Sequence, residues 1–126
     1  MLSDREAMAT VAVKDFKAAK RFYGQTLGLE ERESDDESGV ATYRSGTSSI
    51  VVYRSEFAGT NRATSVTWGV GDELDAIVST LRDRGVRFEH YDLPGMTRKG
   101  DVHVAGGFKA AWFSDPEGNI LHVNNM

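Results

Sequence analysis

The chain repeats one pattern of elements, and that repeat limits the folds open to it. Val13-Lys14-Asp15 and Val70-Gly71-Asp72 stand 57 residues apart, as do Gly28 and Gly85. The apolar faces that follow align better at 58, Phe16 with Leu74, Ala19 with Ile77 and Tyr23 with Leu81, as though Glu73 were inserted. Each half reads as a strand, a helix and three strands, a βαβββ unit written twice. A four-stranded sheet with one helix on its back leaves its other face uncovered. Pairing two such sheets buries part of those faces and leaves a cleft. The expected class is α+β, two βαβββ modules enclosing a cleft. Module one runs over about 7–54, a connector over 55–63 and module two over about 64–125, within one domain of 1–126.

In the first half, Ala9 to Val13 is a short strand and Asp15 is placed to cap a helix from Phe16 to about Thr26. Phe16, Ala19, Tyr23, Leu27 and the stem of Lys20 share one helical face, and Gly28 stops the helix. Leu29 to Glu33, Val40 to Arg44 and Ser49 to Arg54 are β-prone. The acidic run from Glu30 to Glu37 fits a solvated hairpin end better than a cation site. In the second half, Ser65 to Val70 is a strand and Asp72 a cap. Glu73 to Arg84 is a helix with Leu74, Ile77, Val78 and Leu81 inward, and Val86 to Tyr91 is extended. Asp92 to Gly107 reads as a long glycine-containing loop, a length more often functional or mobile than inert. The closing stretch, Asp115-Pro116-Glu117-Gly118-Asn119 between two apolar runs, is a hairpin turn. Proline presets φ, glycine accepts positive φ, and Asp and Asn bond back to nearby backbone.

Composition narrows the function. A chain of 126 residues can bury a core of its own. A net charge of −4 with no concentrated basic face argues against nucleic acid as a partner. The absence of cysteine excludes disulfides, thiolate metal sites and a cysteine nucleophile. No apolar run approaches the ~20 residues of a membrane span, and the polar start is unlike a signal peptide, so a cytoplasmic protein with no membrane partner is expected.

Val11-x-Val13-x-Asp15-Phe16, then Phe22-Tyr23-x-x-x-Leu27-Gly28-Leu29, then Phe113-x-Asp115-Pro116-Glu117-Gly118-Asn119 occur in that order, with Val70-x-Asp72 and Arg84-Gly85-Val86 as their echoes. In these the chain resembles the vicinal-oxygen-chelate superfamily of glyoxalases, extradiol dioxygenases, and fosfomycin- and bleomycin-resistance proteins, over residues 8 to 124. The resemblance implies the paired βαβββ fold and leaves the activity open. Enzymes of that superfamily hold a divalent metal with His and Glu ligands in the cleft. Carried over by position, those ligands fall at Met8, at a residue between Ile50 and Tyr53, at Ser65 and at His122. One imidazole among four positions is a poor cage, so a metal-free cleft is expected, with a divalent metal as the alternative.

Strand parity then gives a lining. With position 8 facing the cleft, Met8 and Thr10 line it; in the repeat Ser65 and Thr67 do, while Trp68 faces the core. His122 faces inward on the last strand. Trp112 falls at a position that contacts substrate in fosfomycin-resistance relatives. Tyr53, Phe57 and Tyr91 stand where they could edge the pocket. Such a lining suits a flat apolar molecule held by stacking and burial. His90-x-Asp92 with His103 imitates a two-histidine, one-carboxylate iron site, but loop histidines are common. Neither a dinucleotide fingerprint, a phosphate loop nor a nucleophile elbow is present.

These residues favour a metal-free binding protein, of the bleomycin-resistance type, for a small aromatic or amphipathic molecule, leaning away from catalysis. A homodimer is expected because members of the superfamily commonly pair. Two alternatives stay open: a lyase, isomerase or dioxygenase with a metal on His122 and partners such as His103, and a dimerisation or regulatory module with an empty cleft.

Overall fold

The computed structural model describes residues 1–126. β1 (Ala9–Val13) leads through Asp15 into α1 (Phe16–Lys20). Asp15 caps that helix through its Oδ1, which accepts the Ala18 N–H at 3.0 Å. The expected helix to Thr26 is realised in two parts, because Arg21–Thr26 winds as a π-helix. The Leu27 N–H reaches back five residues to the Phe22 carbonyl at 2.9 Å. That wider turn still buries both Phe22 and Tyr23. The Lys20 stem lies over the Phe16 ring, its Nζ 5.7 Å from the centroid. β2 (Glu30–Asp35), β3 (Val40–Ser45) and β4 (Ser48–Arg54) follow. They complete an antiparallel run joined in parallel to β1, in the order β1-β4-β3-β2. The acidic run is a hairpin end, as expected. Glu30 pairs with Arg44 at 2.9 Å, and Asp35 closes the turn by accepting the Glu37 N–H. Gly39 in that turn has φ +71°, and a Cβ there would meet Arg54 at 2.8 Å, so only glycine fits.

The second half opens with β5 (Thr64–Gly69). The expected Asp72 cap does not form. The residue inserted at Glu73 winds Gly71–Glu73 into a 3-10 turn, and α2 (Leu74–Asp83) starts behind it without a side-chain cap. The inward face of α2 is as expected, with Leu74, Val78 and Leu81 buried and Ile77 half-buried. The expected extended run to Tyr91 is cut short, because β6 covers only Arg87–Glu89. The expected long loop is not structureless either. β7 (Thr97–Lys99) and β8 (Val102–Ala105) form a hairpin inside it. β9 (Phe108–Ser114) and β10 (Ile120–Asn124) close the chain around the Asp115–Asn119 turn. The second sheet runs β5-β10-β9-β8-β7, with β6 beside the end of β9. Its order β5-β10-β9 matches β1-β4-β3, and β6 stands where β2 begins, pairing Arg87 with Ser114 as β2 pairs Glu30 with Arg44, so the β7–β8 hairpin is the addition to the repeat.

The two sheets meet along β1 and β5. Both helices lie on one side and enclose a single core that includes Val11, Val13, Tyr23, Val52, Leu74, Phe113 and Leu121. Each such apolar side chain, fully buried, contributes roughly 1.5–3 kcal/mol relative to exposure. The alternate residues point to the opposite, helix-free face. No helix is long and apolar enough to cross a membrane.

Candidate functional site

On the helix-free face of the second sheet, strand register places Thr67, His122, Trp112 and Glu89 in one row across β5, β10, β9 and β6. The parity that buries Leu121, Val123 and Phe113 among the helices puts His122 and Trp112 on this side. The His122 ring stacks on Trp112 with centroids 4.4 Å apart and planes at 23°. His103, from β8, and Tyr91, from the segment after β6, stand nearly perpendicular to Trp112 at 5.0 and 5.4 Å. Four rings therefore form one cluster in which Trp112 and Tyr91 remain partly exposed, while His103 and His122 are buried. Such offset and edge-on contacts are each worth about 0.5–1.5 kcal/mol beyond area burial.

The hydrogen bonds fix both imidazoles. The Nδ1 of His122 lies 3.1 Å from the Ala111 carbonyl, which can only accept, so Nδ1 carries the proton. Nε2 then accepts from the Asn124 amide at 3.2 Å, and Asn124 is held in that orientation because its Oδ1 accepts the Met126 N–H at 3.1 Å. His122 is a neutral, doubly bonded ring. Burial holds its pKa below the usual histidine range, and His103 adds to the lowering against the opposing Ala111 bond. The Nε2 of His103 accepts the Tyr91 backbone N–H at 3.0 Å, and its Nδ1 is buried without a partner. Burial, followed by the Glu89 carboxylate, raises the Tyr91 hydroxyl pKa.

The other expected residues distribute unevenly. Ser65 and Thr67 line an open cavity of about 510 Å³ at the seam between the sheets, together with Ser49 and Gly69. Thr67 also joins the aromatic row through its pairing with His122. Thr10 is exposed on β1, its hydroxyl 3.4 Å from the Met8 carbonyl, and Met8 is exposed just before it. Tyr53 lies at the far end of β4 and Phe57 in the connector, 78% exposed; neither ring joins the cluster. Sequence reasoning placed His103 in a candidate iron triad and, in the enzyme alternative, as a metal partner of His122. The structure separates that triad, sending His90 to Asp101 at 2.7 Å and His103 to Tyr91. The Val102-x-Val104 alternation is the signal that could have put His103 on the Trp112 side. Glu89 and Asn124 were missed, and only the register of β6 and β10 reveals them.

A divalent ion is a poor fit to these residues. Of the four positions where the resemblance implies ligands, Met8, Ser65 and His122 are fixed, and both His122 nitrogens are already bonded within the protein. Val51 and Val52 offer no donor, and nowhere do three His, Asp or Glu side chains converge.

Comparison with solved structures places the whole chain among proteins of one shape. A fosfomycin resistance protein from Mesorhizobium loti superposes with a TM-score of 0.71 at 11% identity, covering 98% of this chain and 92% of that one. Lactoylglutathione lyase from Agrobacterium tumefaciens gives 0.68 at 16%, covering 95% and 92%. The oxidase ChaP-H2 gives 0.70 at 24%, covering 98% and 94%. At these identities the likeness shows the fold alone. No curated protein matches in sequence. A family model does match, over residues 7–123, and on that match the chain belongs to the Glyoxalase/Bleomycin resistance protein/Dioxygenase superfamily.

Proposed function

We propose that this protein binds a small aromatic or amphipathic molecule on the Trp112 face of its cleft, without a metal and without transforming it. The observation that carries this reading is the state of His122. The one imidazole at a superfamily ligand position is neutral, bonded at both nitrogens and stacked on Trp112, an arrangement that builds an aromatic surface and leaves no lone pair for an ion. Thr67 supplies a hydroxyl beside it, Ser65 and Thr10 supply hydroxyls from the seam and from β1, and Glu89 stands beside Trp112 and Tyr91 as the carboxylate of the row. A ring bearing a positive charge meets both features, since aromatic faces and a carboxylate each attract cations.

The same reading includes a homodimer in the cytoplasm. The exposed Phe57, Phe108, Val40 and Tyr53, and the open sheet edges at β2 and β7, are surfaces that pairing would cover. The test is a titration with 9-aminoacridine, a flat cation, followed by its own fluorescence, against neutral, uncharged naphthalene. Saturable binding of the cation, weakened by Trp112→Ala and by Glu89→Gln, is the expected result. No saturable binding of either probe would leave a module with an empty cleft and overturn the proposal.

A further inference from the structure

A second pocket lies on the opposite side of the same strands. Where the core opens between the two halves, a cavity of about 270 Å³ is bounded by Leu27 and Leu29 after the π-helix, Ile77 and Leu81 of α2, and the Trp68 and Phe113 rings. Those rings are parallel within 14° at 6.5 Å. Its lining is apolar apart from Ser45. The cavity is separate from the Trp112 face, because Phe113 and Trp112 are neighbours on β9 pointing to opposite faces, while Ser45 and Trp68 line both it and the seam cavity. Two features of the rim are unusual for a plain packing gap. The π-helix, a form that recurs at functional sites, ends at Thr26, next to Leu27. Arg84 then spans the two halves beside it, donating to the Thr26 carbonyl at 2.8 Å and the Gln25 carbonyl at 3.4 Å.

We propose that this cavity is a second binding site, for a neutral one- or two-ring molecule carrying one hydrogen-bond acceptor. Size sets the first half of that description. Ligand pockets run from about 300 to 1,000 Å³, and this one falls just below that range, which limits it to a small ligand. Ser45 sets the second half. Its Oγ accepts the Trp68 indole N–H at 2.8 Å, and its own hydroxyl proton goes to no protein acceptor. The only polar demand in the pocket is therefore for an acceptor, and no charged side chain lines it.

The test uses 1-indanone and indane, the same shape with and without a carbonyl oxygen, observed through the two indole N–H resonances of the full chain, one from each of its two tryptophans. The expected result is a saturable shift at Trp68 with Trp112 unmoved, and 1-indanone binding about 2- to 10-fold more tightly than indane, the range of one ordinary hydrogen bond. Ser45→Ala abolishes that preference. Ile77→Trp and Leu27→Phe, which fill the pocket from opposite walls, abolish the shift. If the filled variants fail to fold, the Ser45→Ala comparison decides alone. No saturable shift at Trp68, a shift centred on Trp112, or equal binding of the two probes to the unaltered protein would overturn the assignment.

Discussion

The Tyr23 hydroxyl donates to Asp115 Oδ2 at 2.8 Å, a buried bond that joins the first helical segment to the last turn of the chain. The other Asp115 oxygen accepts the Glu117 and Asn119 backbone N–H groups at 2.9 Å, closing the turn on itself. Asn119 adds a bond to the Ala12 carbonyl at 2.8 Å, and Glu117 accepts the Asp15 N–H at 2.7 Å. The Asp-Pro-Glu-Gly-Asn turn is thus a clamp between the two halves as well as a hairpin. Burial, with the Asp115 charge beside it, pushes the Tyr23 hydroxyl pKa far above the usual tyrosine range.

Tyr23→Phe keeps the ring and removes the donor, leaving a buried carboxyl oxygen with one partner fewer. A loss of roughly 1.5–3 kcal/mol is expected, as for a hydrogen bond to a charged group. Urea unfolding midpoints measure it, and a midpoint equal to that of the unaltered protein would show that the clamp is idle.

Stability should fall as pH drops below about 6.5, the unfolded histidine value. The His122 pKa is lowered in the fold, so between the folded and unfolded values the unfolded chain binds the proton and the folded chain does not. Protonation in the fold would set an Nε2–H against the Asn124 amide protons. His122→Asn should flatten this part of the profile in unfolding measured at pH 7.5 and 5.5. The lowered Asp101 carboxyl belongs to a lower window, since its contribution is lost only as pH falls through its folded pKa, below the usual value near 3.8.

Trp112→Ala should weaken 9-aminoacridine binding by roughly 1–3 kcal/mol, combining lost stacking and lost apolar area. Thermal unfolding of the same variant separates this from collapse of the ring cluster. Unchanged affinity in a folded variant would remove Trp112 from the site.

Asp101 ties the segment carrying Tyr91 to α2, accepting from Arg82 Nε at 2.8 Å and bonding His90 Nε2 at 2.7 Å. Asp101→Asn should cost under about 1 kcal/mol globally, because Arg82 and His90 are about half exposed and their charges stay hydrated. Hydrogen exchange at the Tyr91 amide, bonded to His103, should nevertheless accelerate, and an unchanged rate would assign the tie no role in holding that ring.

What the sequence made legible was local. The Asp15 cap, the turn glycines and the apolar face of α2 depend on neighbours a few residues away, and the repeat carried the strand order. β7 escaped because Thr97-Arg98-Lys99 is wholly exposed, and only pairing with β8 makes it a strand. The Asp72 cap was displaced by a single inserted residue that the repeat offset had already exposed. Parity correctly separated Trp68 from Trp112. It could not show that Trp112 would spend one face on His122, nor gather His103 and Glu89 beside it, because those contacts depend on the register of β6 and β8 against β9.

The most direct test of a metal-free cleft is metal content per chain after incubation with nickel, manganese, zinc and iron(II) and then desalting. The proposal predicts that no ion is retained in stoichiometric amount and that His122→Ala changes nothing in this measurement. One tightly held ion per chain, lost on replacing His122, would contradict it and return the cleft to metal chemistry.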